Sequence, residues 1–287
     1  MRQSVCVLSL LGLLAVSGAG ATYTFVATGP VASGLSPLNE NPPHPTSSGT
    51  GTALITFDTV ANQMTVNVVF SGLTTPNTAA HIHCCISAPG NAGVATTTPT
   101  FTGFPGGVTS GTYAHTFDML SAASYNPSFV TAHGGTAAGA EAAFLAGLLA
   151  GQTYLNIHTT MFGGGEMRGF LVTPVNISIK PGSDSSSPIN PKSHGKIPIA
   201  ILSSTTFDAV TSVDSSSLTF GRTGTQQSLG FCNTGGEDVN GDGLLDLVCH
   251  FETQLTGFKA GDTLGILMGK TLLGTPILGQ DTIRIVP

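Results

Sequence analysis

Positive charge is almost absent from the first half of this chain. No lysine or arginine occurs between Arg2 and Arg168, and only 8% of all residues are charged. Proteins that bind nucleic acid do so through clustered lysine and arginine side chains. The sequence therefore excludes nucleic acid as a partner of this region.

Beyond its N-terminus, the chain also lacks an apolar run that approaches the roughly 20 residues of a transmembrane helix. The apolar run at residues 5–16 follows Arg2 and precedes the small residues 17–21. A charged, then apolar, then small-residue order is typical of a secretory signal peptide. We predict a signal peptide over residues 1–21 and a secreted protein that works in the extracellular space, at the cell surface or in the periplasm.

Cysteine is scarce, and Cys6 lies in the predicted signal peptide. The other four cysteines are an even number in an oxidising compartment, where disulfides persist. Proximity in sequence favours a disulfide between Cys232 and Cys249. Cys84 and Cys85 either form a vicinal disulfide or stay reduced as soft metal ligands, and the oxidising compartment favours the disulfide.

Short runs of alternating hydrophobic and polar residues, separated by Gly, Pro, Asn and Thr, predict antiparallel strands. They are residues 51–58, 63–70, 112–117, 175–180, 196–202, 245–251, 263–268 and 281–286. The charge content rises near residue 174. We predict an all-β protein with two β-sandwich or β-barrel domains, residues 22–174 and residues 175–287.

Two local signals refine this fold. The Ala- and Leu-rich segment 136–149 has Thr136 as a candidate N-cap and Gly151 as a candidate stop, which predicts one short helix in the first domain. Pro198 lies inside a strand pattern and predicts an edge position for that strand, since proline cannot donate a ladder hydrogen bond.

Residues 238–246 (Asp-Val-Asn-Gly-Asp-Gly-Leu-Leu-Asp) place oxygen-bearing side chains at alternate positions around a glycine, which is typical of a calcium loop. The candidate ligands are Asp238, Asn240, Asp242, the carbonyl oxygen of Leu244, and Asp246. An EF-hand would have glutamate where Cys249 stands, so we predict an isolated loop, with Glu237 or Glu252 as a further ligand. The alternative is an ordinary Asp/Asn/Gly turn without metal.

Six of the eight histidines precede Arg168. His81 and His83 are two residues apart, so on a strand both point to one face, about 6.6 Å apart. A similar segment carries Asn156 and His158, and a neighbouring strand there would bring in a third imidazole. The pattern predicts a copper or zinc site on the three histidines. The alternative is three neutral, hydrogen-bonded histidines.

Arg168 is the one fixed positive charge of the first predicted domain. Glu166 is two residues away and shares its face on a strand. We predict a structural ion pair between Glu166 and Arg168, with Glu40 as the alternative carboxylate.

Four motifs together resemble one known family. They are Asn39-Glu-Asn-Pro-Pro43, Ala80-His-Ile-His83, Gly151-Gln-Thr-Tyr-Leu-Asn-Ile-His-Thr159 and Gly164-Gly-Glu-Met-Arg-Gly169. With them, residues 23–174 resemble the chordin-type domain called CHRD. The resemblance implies a β-barrel or immunoglobulin-like domain without an established enzymatic activity. The sequence departs from the common pattern at Cys84-Cys85 and in a long insertion over residues 101–125.

Residues 175–287 resemble a module that ends exported bacterial proteins. The phrases Ile-Lys-Pro-Gly-Ser, Ile-Asn-Pro-Lys-Ser and Asp-Val-Asn-Gly-Asp-Gly carry this likeness. It implies no settled function.

The sequence gives little support to an enzyme. It shows no convincing nucleophile with a base and no paired carboxylates, and Gly163-Gly-Gly lacks the Lys and Ser of a phosphate loop. The leading hypothesis is a secreted, non-enzymatic binding or structural protein, stabilised by calcium, whose partner is an extracellular protein, a polysaccharide or a metal ion. The alternative is a copper-dependent redox enzyme resembling superoxide dismutase, with Arg168 steering an anionic substrate.

Overall fold

A computed structural model describes residues 21–183 and 186–287, so the predicted signal peptide lies outside the described residues except for Ala21. Fifteen strands dominate the described chain, and its helices are short. The all-β, sandwich-like fold predicted from the alternating runs is confirmed. No helix in the described ranges is long and apolar enough to cross a membrane.

The first part of the chain contains seven strands and two α-helices. They are β1 (Thr22–Thr28), β2 (Thr50–Asp58), β3 (Gln63–Ser71), β4 (Asn77–Cys84), β5 (Gly111–Asp118), α1 (Pro127–Ala132), α2 (Ala137–Leu149), β6 (Thr153–Thr159) and β7 (Met167–Pro174). Strands β2, β3 and β5 match the predicted runs to within one residue at each end.

The second part contains eight strands and one short helix. They are β8 (Ile177–Ile179), β9 (Ser187–Ile189), β10 (Lys196–Ile201), α3 (Ala209–Ser212), β11 (Val213–Gly221), β12 (Leu229–Glu237), β13 (Asp246–Glu252), β14 (Leu264–Thr271) and β15 (Pro276–Ile285).

Two sheets organise these strands. The larger sheet has the order β11-β14-β15-β7-β1-β2-β3-β5, with β6 beside β7, β4 beside β6, and β9 beside β15. The smaller sheet has the order β12-β13-β10-β8. Strand β7 pairs with β6 through residues 167–170 and, further along, in parallel with β15 through residues 173–174. The β4–β6 pair is thereby attached to the first half of the large sheet.

Two large hydrophobic clusters fill the interior. One spans Phe25 to Leu171 and includes Phe144 and Leu148 of α2, so this helix packs on the core as its apolar residues predict. The other spans Ile177 to Ile283. A small third cluster contains buried residues of β7, β14 and β15.

Helix α2 has the predicted termini. The Thr136 side chain accepts a hydrogen bond from Gly139 N at 3.1 Å, and Gly151 follows the helix with φ of +64°, a conformation that favours glycine. The prediction of a single helix in this region is wrong, because α1 precedes it. The signals for α1 are Asn126 as N-cap and Pro127 at the first helical position.

The predicted edge position of Pro198 is also wrong. Strand β10 lies inside the smaller sheet, between β13 and β8. Pairing with β8 begins only at Ile199, opposite Ile179. The proline is tolerated because it lies just beyond the short neighbouring strand.

Candidate metal centre

The three predicted histidine ligands lie together on the β4–β6 pair. His81 and His83 are on β4, and His158 is on β6. The register places His81 opposite Asn156 and His83 opposite Tyr154. Because side chains two residues apart share a face of a strand, the three imidazoles converge.

The three rings form a nearly equilateral triangle. Ring centroids are 5.2 Å apart for His81 and His158, and 5.9 Å apart for each of the other two pairs. One nitrogen from each ring lies within 4.8 Å of the corresponding nitrogens of the other two. Over residues 21–183 and 186–287, this is the one group of three or more His, Cys, Asp or Glu side chains near enough to hold a metal ion.

Each imidazole uses one ring nitrogen to donate a hydrogen bond to a backbone carbonyl. The pairs are His81 Nε2 with Pro99 O at 2.6 Å, His83 Nδ1 with Ala92 O at 2.9 Å, and His158 Nδ1 with Gly163 O at 3.0 Å. A carbonyl oxygen only accepts, so each proton is fixed on that nitrogen and the other nitrogen presents a lone pair. Metal-binding histidines are held in this way.

The remaining nitrogens are His81 Nδ1, His83 Nε2 and His158 Nε2, and all three are buried without a hydrogen-bond partner. Burial, the largest cause, lowers the pKa of each ring. It lowers the pKa of His83 to about 4, with the neighbouring histidines and Arg168 as smaller causes. The rings are therefore neutral at pH 7, and each offers a lone pair.

An aromatic stack supports one side of the triangle. The Tyr154 ring lies 4.7 Å from the His83 ring with the planes 5° apart, and the Arg168 guanidinium lies 4.7 Å from the centre of the Tyr154 ring. The Tyr154 hydroxyl also accepts from Ala92 N at 3.0 Å. Tyr154 thus contacts both His83 and the loop that supplies its carbonyl acceptor.

Arg168 is buried and ties three segments together. It donates from Nε to Asn39 O at 2.6 Å, from Nη1 to Gly90 O at 3.2 Å and Asn91 Oδ1 at 2.7 Å, and from Nη2 to Pro89 O at 2.8 Å. Its ion-pair partner is Glu40, with Nε and Oε2 3.8 Å apart. The predicted pair with Glu166 is wrong, and the alternative carboxylate is the one observed.

Glu166 has other partners. Its carboxylate accepts from Ser47 Oγ and Thr74 N, both at 2.7 Å, and from Thr159 Oγ1 at 2.8 Å. Burial by itself raises the pKa of Glu166, but these hydrogen bonds outweigh it and hold the pKa below its ordinary value. The Glu166 carboxylate already accepts three hydrogen bonds, so it does not need the Arg168 guanidinium. Arg168 pairs with Glu40 instead.

The pKa of Glu40 is shifted in the opposite direction to that of Glu166. Burial raises its pKa to about 7, although Arg168 and the backbone N–H of Asn41 both lower it. Its Oε1 atom is buried without a partner. The carboxyl group is therefore about half protonated at neutral pH.

The residues of the candidate metal centre all lie within a range that matches one known family. Residues 31–171, about half of the chain, match the family model of the CHRD domain. The chain is a CHRD-domain protein. No curated protein matches it. The matched range contains the three histidines, Glu40 and Arg168, and it ends before the second hydrophobic cluster.

Both predicted disulfides are present, Cys84–Cys85 in the CHRD domain and Cys232–Cys249 between β12 and β13. The alternative of reduced ligands at Cys84 and Cys85 is wrong. Cys84 also lies on the opposite face of β4 from His83, close to Gly147 of α2. Disulfides and a CHRD domain are features of proteins outside the cytoplasm.

The predicted calcium loop joins β12 to β13. Asp238 Oδ1 accepts from Gly241 N at 2.8 Å and Asp242 N at 3.2 Å, and Asp238 Oδ2 accepts from Gly243 N at 2.9 Å. Asn240 Nδ2 donates to Asp242 Oδ2 at 2.9 Å. Gly241 and Gly243 have φ of +76° and +87°. The loop therefore wraps around Asp238, and the side chains of Asp238, Asn240 and Asp242 are exposed.

Asp246, the last predicted calcium ligand, is fully buried. It accepts from Ser203 N at 2.8 Å and from Val239 N at 3.1 Å, so both oxygens already hold the backbone. Glu252 is wrong as a further ligand, because it pairs with Lys196 at 2.9 Å at the far end of β13. The carbonyl of Leu244 remains a predicted ligand.

Sequence reasoning missed the carbonyl shell around the histidines. Pro99 and Ala92 lie in the loop after β4, and Gly163 begins the glycine run before β7. Backbone carbonyls leave no residue-type signal. The glycine run is a weak signal in the sequence, where it resembles an incomplete phosphate loop. In the structure, its carbonyl oxygens lie close to side chains of β6.

Proposed function

We propose that this CHRD-domain protein is a secreted, non-enzymatic binding and structural protein that holds a copper or zinc ion on His81, His83 and His158. Calcium bound at the β12–β13 loop stabilises residues 175–287. The metal centre is the better supported of the two sites, because its donor atoms already converge.

One observation carries the proposal: the three imidazoles form one cluster, and each has a buried nitrogen with no hydrogen-bond partner among the described residues. A buried polar atom without a partner costs about 1–3 kcal/mol. The protons of the rings are held on the opposite nitrogens by backbone carbonyls, and the lowered pKa values oppose a second proton. A cation between the rings satisfies all three lone pairs at once.

The donor set decides the class of metal. Imidazole nitrogen suits copper and zinc, whereas calcium and magnesium prefer oxygen. Zinc–nitrogen bonds are about 2.0–2.1 Å. The donor nitrogens, at up to 4.8 Å from one another, need only a small inward movement to reach one ion.

The calcium part of the proposal rests on the spacing of Asp238, Asn240 and Asp242 and on the shape of the loop. Asp238 accepts from three consecutive backbone N–H groups, which turns the loop toward its own carboxylate. The cross-strand disulfide Cys232–Cys249 fixes the strands on both sides of it. Hard oxygen ligands in such a loop match calcium.

A copper-dependent redox enzyme is the competing function for the same histidines. Such an enzyme needs a substrate to reach the metal. The three free nitrogens are closed to solvent in the structure, and Arg168 is occupied by backbone acceptors and Glu40 instead of facing a channel. These contacts favour binding over catalysis. The partner belongs to the extracellular classes of protein, polysaccharide or metal ion.

Elemental analysis of the mature protein, purified without a tag or chelator, tests the proposal. We expect about one copper or zinc ion per chain, lost in a variant with His81, His83 and His158 changed to alanine. A matched variant, His115→Ala with His133→Ala, removes two histidines outside the triangle and should keep the metal. Wild-type protein without copper or zinc after exposure to both would contradict the proposal, as would equal metal in the triple variant.

A further inference from the structure

We propose that Asn156 forms the fourth position of the histidine centre, where its side-chain oxygen accepts a hydrogen bond from a water molecule bound to the metal. This inference rests on the proposed function, since it needs a metal ion on the three histidines. The fourth ligand of the centre is then a water molecule and not a fourth protein side chain.

The register of the strands places Asn156 beside the triangle. It is directly opposite His81 on the β4–β6 pair, so their Cβ atoms are about 4.5–5.5 Å apart. It is two residues from both Tyr154 and His158, and it shares their face of β6. Asn156 therefore lies among the side chains that surround the metal position.

The oxygen of this side chain has no hydrogen-bond partner in the described part of the chain. Asn156 is 2% exposed, its Nδ2 donates to Gly164 O at 3.5 Å, and its Oδ1 is buried and unbonded. Buried carboxamides are normally satisfied at both ends. An unsatisfied acceptor next to three unsatisfied imidazole nitrogens indicates that one ligand system completes all four.

The glycine loop before β7 holds the carboxamide in place. A Cβ atom added at Gly165, which has φ of +124°, would lie 2.3 Å from Asn156 Nδ2. Gly164 supplies the carbonyl for Nδ2, and Gly163 supplies the carbonyl for His158. The same three glycines thus orient a metal ligand and the asparagine beside it.

The chemistry of the fourth position follows from these donors and acceptors. A metal on three histidines keeps one tetrahedral position for water or another ligand. Bound water has O–H groups to donate, and Asn156 Oδ1 can only accept. Water therefore matches the unpaired oxygen of Asn156.

The test uses the full mature chain loaded with copper(II) sulfate, in wild type and in Asn156→Leu, which keeps the branched shape and the number of heavy atoms and removes the acceptor. Pulsed electron paramagnetic resonance in D₂O should show directly bound exchangeable water in wild type. We expect the leucine variant to lose most of that deuterium signal and to have a copper dissociation constant raised about tenfold or more. Asn67→Leu, at a half-buried position on β3, is the matched control and should behave as wild type.

Several results overturn the inference. One is a leucine variant with the wild-type dissociation constant and deuterium signal, and another is wild type that binds copper through three imidazoles without exchangeable water. Wild type that binds no copper at all contradicts the proposed function instead. If Asn156→Leu does not fold, Asn156→Asp keeps the shape and adds a negative charge, which should tighten copper binding about tenfold; an unchanged constant also overturns the inference.

Discussion

The two halves of the described chain place their ion pairs in opposite environments. In the CHRD domain, Arg168, Glu40 and Glu166 are buried, as are His81 and His83. In residues 175–287 the ion pairs lie at the surface: the side chain of Arg222 is 45% exposed and that of Lys196 is 38% exposed. The predicted calcium ligands before Leu244 are exposed or half-exposed as well.

This difference decides what a structure can reveal about a ligand. Buried polar atoms must find partners inside the protein, so those left unpaired at the histidine triangle support the proposed metal ion. Exposed carboxylates are satisfied by water, so their positions alone carry less information, and the case for calcium rests on sequence spacing. Four changes probe this contrast.

Removing the buried guanidinium should have the largest effect. Arg168→Met removes the ion-pair partner of Glu40 and the hydrogen bonds to four acceptors, and breaking such a buried network costs about 3–5 kcal/mol. Urea denaturation of the metal-free protein measures this loss. A loss below about 1 kcal/mol would mean that the buried ion pair contributes no more to stability than an exposed one, which contradicts the comparison between the two halves.

The carboxyl group of Glu40 should give a pH-dependent effect. Its folded-state pKa of about 7 lies above its ordinary value, so the stability it contributes is complete below about pH 4.5 and is lost as the pH rises through 7. Relative to Glu40→Gln, wild type should lose about 3 kcal/mol between these limits. Denaturation at several pH values measures the difference, and a difference independent of pH would refute the raised pKa.

Calcium should act on the second half alone. At a free calcium concentration 100 times the dissociation constant, binding adds about 2.7 kcal/mol. We expect a chelator to lower the thermal transition of residues 175–287 and to leave that of the CHRD domain in place. Asp238→Ala should abolish the response, and Asp214→Asn, at a half-buried acid outside the loop, should retain it. A melting temperature that does not depend on calcium would mean that residues 238–246 form an ordinary turn without metal.

The smallest effect is expected at the surface pair Arg222–Asp262, although its atoms are only 2.9 Å apart. Arg222→Met should cost about 0–1 kcal/mol, because exposed ion pairs contribute little. Urea denaturation beside Arg168→Met makes the comparison direct. Equal losses in the two variants would remove the distinction between buried and exposed charge.

Much of the fold could be predicted from sequence because its signals are local. Alternation identified most strands, and Thr136 and Gly151 marked both ends of α2. The edge prediction for Pro198 failed because the length of the neighbouring strand β8 is a property of the sheet. The conformational preference of proline at one position does not predict how long the neighbouring strand is.

The candidate site was predictable only in its ligands. Spacing gave His81 and His83, and the repeated segment gave His158. The partner of Arg168 was wrongly assigned, because Glu166 is the nearer acid in sequence but three hydrogen-bond donors already satisfy it. The carbonyl shell and the unpaired oxygen of Asn156 depend on loop conformation, which residue types do not specify.

X-ray absorption spectroscopy of the copper-loaded protein measures the ligands of the metal directly. We expect three imidazole nitrogens at about 2.0 Å from the metal, lost in the variant with His81, His83 and His158 changed to alanine. Fewer than three imidazoles in wild type, or the same spectrum in the variant, would contradict the proposed metal centre.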